Sequence, residues 1–205
     1  HCQTGHNRED KRALRLQPPS EHPLQRGQDE HLYQEITVRQ QVMNDYLELP
    51  ERLYYENFKG DILAFIEAAY RIFKKDFVTS HPNVDGKPIR MKKYPLVNEM
   101  EYTFYHITHE GTDEDNRLPV ISRMECIPFP RPMIDNINHP YLKVWMNTRK
   151  GKDRMLIYHE AEKYLVVLEI RQEYALLWTA YPIERQHTEE KLLKEYEDYK
   201  KARTA

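Results

Sequence analysis

Four short segments rich in β-branched and aromatic residues fill the C-terminal third of the chain, at residues 142–146, 155–158, 164–170 and 174–181. The connections between them are at most eight residues long and hold charged or turn-forming residues. Connections that short can join only antiparallel neighbours, because a parallel crossover needs a dozen or more residues. The spacing therefore predicts a four-stranded antiparallel meander in this part of the chain.

The spacing of apolar residues predicts helices both before and after these strands. Apolar residues recur every three or four positions from Asp61 to Phe77, which predicts an amphipathic helix with Asp61 as its N-cap. Another helix is predicted from Thr188, where Glu189 lies in the first turn and favours the positive end of the helix dipole. A shorter helix is predicted over residues 120–127.

One further strand is expected before the meander. Residues 102–108 read Tyr-Thr-Phe-Tyr-His-Ile-Thr, a composition typical of a strand, and the pair Asp85-Gly86 predicts a hairpin turn ahead of them. With the helices packed on one face, the expected fold is α+β. It is a twisted antiparallel sheet, built from the meander and one earlier strand, that an N-terminal helix and a C-terminal helix cover.

The first 42 residues differ in composition from the rest of the 205-residue chain. Tyr33 is their only aromatic residue, and Gln, Pro and charged residues are frequent among them. Such a segment buries too little apolar surface to offset the entropy of ordering it. We predict that residues 1–42 are a disordered tail, or a non-native segment upstream of Met43, and that residues 43–205 form a single α+β domain.

Composition excludes several classes of protein. The 31 Lys and Arg against 33 Asp and Glu argue against non-specific coating of nucleic acid, so any nucleic-acid site must be local. The six glycines cannot form a dinucleotide-binding fingerprint or a P-loop, and two cysteines make no disulfide framework. No apolar stretch reaches the ~20 residues of a membrane helix. We therefore expect a cytoplasmic protein without a cofactor and without membrane contact.

Two histidines are candidates for proton transfer. His106 and His109 lie at the end of the expected strand and in the loop after it, and the unperturbed imidazole pKa near 6.5 suits acid and base chemistry at neutral pH. A metal site with Cys126 as a third ligand is the weaker interpretation, because a His-x-x-His spacing on a loop fixes no geometry. A third interpretation remains open, in which the histidine is a hydrogen-bonded polar residue at a strand end with no part in chemistry.

Several charged residues could hold phosphate. Arg123 and Glu125 lie two positions apart, so they could form a structural ion pair or, in a cleft, grip a phosphate. Thr179 and Tyr181 alternate with Trp178 and Ala180, which places a hydroxyl and a phenol on one side of the last strand, where they could hold a phosphate. Core packing explains the aromatic residues equally well. The remaining candidates are basic residues at the hairpin tip around Gly151, where charge could equally serve solubility: Arg149, Lys150, Lys152 and Arg154.

The order of these motifs resembles that of phage and mobile-element proteins of the barnase, EndoU, colicin and RelE toxin-like nuclease superfamily. The segments that carry the resemblance, which spans residues 61–199, are Thr-Phe-Tyr-His-Ile-Thr-His-Glu-Gly, Arg-Met-Glu-Cys-Ile, Leu-Leu-Trp-Thr-Ala-Tyr and Lys-Leu-Leu-Lys-Glu-Tyr-Glu. Members of that superfamily are compact α+β ribonucleases that cleave RNA without metal, by attack of the 2'-hydroxyl on the adjacent phosphate. The resemblance implies a toxin-like or phage effector that acts on RNA, with an inhibitor or antitoxin protein as a possible partner.

The resemblance also implies a role for each site residue. His106 would be the general base or acid, Arg123 and Glu125 would clamp the phosphate and orient the base, and Thr179 with Tyr181 would hydrogen-bond the phosphate. The implied RNA contacts are His109, Arg117 and the basic hairpin tip. One departure stands out, because Cys126 occupies a position where relatives are expected to carry an arginine. Together with the net charge of -2 and the 15 tyrosines, it favours the alternative of an inactive module that binds RNA or a protein.

Overall fold

A computed structural model describes residues 46–113 and 116–204 and has six strands in one mixed sheet. The strand order is β1-β2-β8-β7-β6-β5, with a separate two-stranded ribbon of β3 and β4. The strands are β1 Asn83–Val84, β2 Lys87–Arg90, β3 His109–Glu110, β4 Leu118–Pro119, β5 Lys143–Arg149, β6 Lys152–His159, β7 Tyr164–Ile170 and β8 Ala175–Pro182. The predicted tail, residues 1–42, lies outside the described residues.

Neighbouring strands β5 to β8 pair antiparallel in sequence order, and β2 pairs with β8 in parallel. The α+β class is therefore confirmed, whereas the expectation of a purely antiparallel sheet is wrong. The difference arises because the β1–β2 hairpin, which turns at Asp85 and Gly86, enters the sheet beside β8. Asp85 and Gly86 both have positive φ angles, 48° and 77°, as such a tight turn requires.

In the described part of the chain, five α-helices accompany the sheet. Two of them begin close to the predicted positions, since Asp61 caps α1 and α5 begins two residues before Thr188. A single turn of 3-10 helix, Tyr55–Phe58, precedes α1, and a π-helical segment, Lys74–Thr79, continues it. The helices are α1 Ile62–Phe73, α2 Tyr102–Thr108, α3 Ile121–Glu125, α4 Pro130–Asp135 and α5 Gln186–Thr204.

Residues 102–108 form the helix α2, so the prediction of a strand there is wrong. Six of its seven residues are buried, and a segment that is buried on nearly all sides carries no hydrophobic periodicity that separates strand from helix. The preceding segment favours the helix, because the Lys92 and Lys93 carbonyls accept hydrogen bonds from the Thr103 and Tyr102 backbone amides, 3.0 and 3.1 Å. Those amides are among the donors that a helix N-terminus leaves without intrahelical partners.

The sheet is apolar on both faces. Along β6 and β7, Ile157, Val166 and Leu168 belong to the main core, while the alternating residues Leu156 and Leu165 belong to a second core on the opposite face. Helices α1 to α4 supply the main core, and α5 supplies the second one through Leu192. The expectation that the helices cover one face is therefore wrong. Strand β7 is buried on both sides, and its alternation accordingly disappears from the sequence.

Helix α1 depends on a capping hydrogen bond. The Asp61 carboxylate accepts from the backbone amide of Ala64 at 3.0 Å. Replacing Asp61 by Ala should lower the free energy of unfolding by about 1 kcal/mol, because the first turn loses an acceptor for its unpaired amides. Urea denaturation followed by circular dichroism measures this change.

The matched control is Glu67→Ala on the exposed side of the same helix. Its ion pair with Arg71 is 3.7 Å long and both side chains are about 70% exposed, so the loss should stay below about 0.5 kcal/mol. Equal losses in the two variants would contradict a specific role of the cap.

Candidate functional site

Hydroxyl groups and guanidinium groups meet on the α5 side of the sheet, near the end of β8. A small pocket of about 60 Å³ there is lined by Thr179 and Tyr181 of β8, Arg149 of β5 and Arg154 of β6, among others. The guanidinium of Arg123, from α3, lies over the Tyr181 ring at 5.8 Å. These five residues are called the β8 surface below.

The phenol of Tyr181 is the group on which the charges converge. Burial raises its pKa, while the neighbouring Arg149 and Arg123 guanidinium groups act to lower it. The phenol therefore keeps its proton at neutral pH and can donate a hydrogen bond. Two cations from different elements and a hydroxyl donor at one point form an arrangement that suits an anion such as a phosphate.

A β-bulge sets the direction of the side chains in β8. Val167 pairs with Thr179, but its neighbour Leu168 pairs with Leu177, which leaves Trp178 as the extra residue. Trp178 contacts the Arg154 guanidinium at 4.9 Å, whereas Ala180 lies in the main core. The expectation that Trp178 and Ala180 share one face is therefore wrong, because strict alternation stops at the bulge.

A row of polar side chains crosses the sheet beside the β8 surface. Asn147, Arg154 and Glu169 pair directly in register across β5, β6 and β7. In the part of the chain that the structure describes, each of them has a buried polar atom without a hydrogen bond: Asn147 Oδ1, Arg154 Nε and Glu169 Oε2. Buried polar atoms are normally satisfied, so three neighbours with such atoms mark this part of the sheet as unusual.

Basic residues of the hairpin tip form ion pairs with acidic residues. The Glu169 carboxylate, in a residue only 2% exposed, pairs with Lys152 at 3.2 Å and with Arg171 at 2.9 Å. Arg149 pairs with Glu195 of α5 at 3.3 Å. Lys150 lies exposed in the turn between β5 and β6 with a φ of 51°. Of the predicted basic contacts, Arg149 and Arg154 thus line the β8 surface, and Lys150 and Lys152 lie at its outer end.

Arg123 and Glu125 do not form a pair with each other. Arg123 pairs with Glu110 of β3 at 3.2 Å and lines a pocket of about 250 Å³ together with Tyr181 and Arg185. The Glu125 carboxylate accepts a hydrogen bond from the Tyr55 backbone amide at 3.0 Å, and its carbonyl accepts one from the Leu53 amide at 2.9 Å. Glu125 therefore fixes residues 53–55 to α3.

His106 lies in α2, on the other side of Trp178. The Arg117 guanidinium donates to its Nδ1 at 2.9 Å, and because a guanidinium has no acceptor, the ring hydrogen of the neutral imidazole is on Nε2. The imidazole contacts the Trp178 indole at 6.3 Å, edge to face. His106 lines a pocket with Trp178, whereas Thr179 and Tyr181 line a different one.

His109 and Cys126 are both buried. His109 Nδ1 lies 2.9 Å from the Thr108 hydroxyl, and burial is the main cause that lowers the pKa of His109 to about 4. Its imidazole is therefore neutral at pH 7 and offers no positive charge to a phosphate. The Cys126 thiol accepts from the Arg52 guanidinium at 3.2 Å, and burial raises its pKa to about 12. Cys126 thus belongs to the main core and not to the β8 surface.

Comparison with known protein families, curated proteins and solved structures finds no match. Within the described ranges, no three His, Cys, Asp or Glu side chains lie where they could hold a metal ion together. No helix within residues 46–113 and 116–204 combines the length and the apolar content of a membrane span. Sequence reasoning missed Asn147, Glu169 and Glu195, whose positions beside the basic residues become evident only with the strand register.

The low pKa of His109 makes folding sensitive to acid. The His109 imidazole binds a proton near pH 6.5 in the unfolded chain and only near pH 4 in the folded chain. The free energy of unfolding therefore falls as the pH drops through this window. Replacing His109 by Gln should remove up to about 3 kcal/mol of the stability difference between pH 7 and pH 4. Urea denaturation at several pH values measures the difference.

His81→Gln is the control, because His81 is exposed. The pH dependence of stability should change less in this variant than in His109→Gln. Equal changes in the two variants would contradict a role of the buried His109 imidazole in the acid response.

Proposed function

We propose that the protein is an endoribonuclease that binds RNA at the β8 surface and cleaves it without a metal ion. The observation that carries the proposal is the convergence of Arg123 and Arg149 on the Tyr181 phenol, next to the Thr179 hydroxyl. Guanidinium groups bind phosphate oxygens through two parallel hydrogen bonds, and hydroxyl groups add neutral donors. The arrangement supports a local phosphate site in a protein whose net charge is -2.

RNA supplies its own nucleophile. In the proposed reaction, the 2'-oxygen attacks the adjacent phosphorus and gives up its proton to a base, and the 5'-oxygen leaves with a proton from an acid. Arg149 and Arg123 would stabilise the extra charge on the phosphate oxygens, and Thr179 with Tyr181 would orient them. His106 would transfer the protons.

Trp178 lies between His106 and the β8 surface, because its indole contacts both the His106 imidazole and the Arg154 guanidinium. To accept the 2'-hydroxyl proton at Nδ1, its imidazole must exchange the hydrogen bond from Arg117 for one from the substrate. Arg117 would then contact a neighbouring phosphate. This exchange makes RNA binding a precondition of the active geometry.

A second candidate function is RNA binding without cleavage. It is favoured by the position of His106 in a different pocket from Thr179 and Tyr181 and by the hydrogen bond that already occupies its Nδ1. Catalysis requires acid, base and phosphate ligands around one linkage, whereas binding requires only the β8 surface.

The test uses purified protein and a labelled single-stranded RNA, with and without EDTA. We expect cleavage in both conditions, and a loss of about 100-fold or more in the cleavage rate of His106→Ala when the RNA is saturating. Arg149→Ala should weaken binding and reduce the slope of log K against log salt by about one. Cleavage is followed on gels and binding by fluorescence anisotropy.

The control for Arg149→Ala is Arg71→Ala, since the Arg71 side chain is 70% exposed on α1. It should leave both readouts unchanged. RNA that stays intact but bound would replace cleavage by the binding function, and RNA that does not bind at all would refute both. Cleavage that EDTA abolishes would refute the metal-free reaction.

A further inference from the structure

We propose that the pocket beside Trp178 receives one unpaired base of the bound RNA. This inference rests on the proposed function and names the part of the substrate that the pocket recognises. The pocket has a volume of about 190 Å³ and is lined by Lys92, Tyr102, Thr103, His106, Leu176, Leu177 and Trp178. The phosphate ligands on the β8 surface read no sequence, so a base site beside them would be the first source of preference among RNAs.

The walls of the pocket are aromatic and apolar. His106 lies between two aromatic side chains: its ring is nearly parallel to that of Tyr102 at 6.1 Å and inclined to that of Trp178 at 6.3 Å. Leu177 belongs to the main core. Such walls exclude water and offer flat surfaces, which suits a nucleobase that has left its stack.

The Trp178 side chain is partly exposed although the neighbouring Leu177 lies in the main core. Its side chain is 37% exposed, whereas the other tryptophan, Trp145, is 1% exposed. The Arg154 guanidinium lies over the indole at 4.9 Å and restricts its orientation. A fixed, partly exposed indole is a suitable stacking partner for a base, because little side-chain entropy remains to be lost on binding.

The charges around the pocket suit a nucleotide better than an uncharged ligand. The Lys92 ammonium lies 3.8 Å from the centre of the Tyr102 ring, at the pocket, and Arg154 lies on the other side of Trp178. The pocket and the pocket at the β8 surface share no lining residue, but Trp178 directly precedes Thr179 in β8, and its indole contacts Arg154 of the β8 surface. One nucleotide could thus place its base against Trp178 and its phosphate against Thr179.

The first experiment uses the fluorescence of the full chain. Trp178 and Trp145 are its two tryptophans, and the buried Trp145 supplies a constant background. Titration with adenosine or uridine monophosphate should quench the emission in a saturable way, and ribose 5-phosphate, which has no base, should not. Trp178→Phe should remove the quenching. Equal quenching by ribose 5-phosphate would overturn base binding, as would no quenching by either mononucleotide.

The second experiment separates the base pocket from RNA binding itself. We expect Trp178→Ala to bind single-stranded RNA about tenfold more weakly than the parent, and Trp178→Phe to bind nearly as well. Abasic RNA of equal length should bind the parent and Trp178→Ala equally. Tyr94→Ala is the control, since Tyr94 is 70% exposed and does not line the pocket. Thermal melting verifies that each variant is folded.

The outcomes distinguish the two proposals. If Trp178→Ala binds intact RNA as tightly as the parent does, the pocket holds no base, while the proposed function stands. If the parent binds no RNA, the proposed function fails, and the base pocket fails with it as a part of an RNA site.

Discussion

Burial of β7 on both faces is the constraint on which the rest of this structure depends. Its residues alternate between the main core and the second core, so the sheet needs a helical layer on each side. Helices α1 to α4 cover one face, and α5 covers part of the other. Leu192 is the one buried residue of α5, and a small pocket remains between this helix and β8. Four of the five residues of the β8 surface line this pocket.

A single carboxylate connects the buried strand with the charged surface. Glu169 lies near the end of β7, is 2% exposed, and pairs with Lys152 and Arg171. A buried carboxylate is tolerated when cations and hydrogen bonds compensate its desolvation. Here the compensation also fixes two basic side chains at the outer end of the sheet, beside Arg154. The arrangement joins the stability of the sheet to the position of its cations.

The sequence predicts the α+β class and the regions of the main helices, because those depend on local periodicity and on a cap at Asp61. It fails at residues 102–108, where a buried segment is helical and its first backbone amides donate hydrogen bonds to the carbonyls of residues 92 and 93. It also fails at the bulge of Trp178, since one extra residue in a strand leaves no signal in composition. The predicted site residues Arg149, Arg154, Thr179 and Tyr181 meet in space, but only the strand register shows that Glu169 and Asn147 accompany them.

The hydrogen bonds of Glu195 have a consequence for the C-terminal helix. Its carboxylate accepts from the Trp145 indole and the Asn147 amide and pairs with Arg149, all on β5. The three donors thus bind the Glu195 carboxylate as they would bind an external anion, and such an anion would take its place. Any polyanion that recruits Arg149 therefore competes with α5 for the same guanidinium. The two binding events are therefore coupled. Packing of α5 on β5 lowers the affinity for the polyanion, and the bound polyanion weakens the packing of α5 by the same free energy.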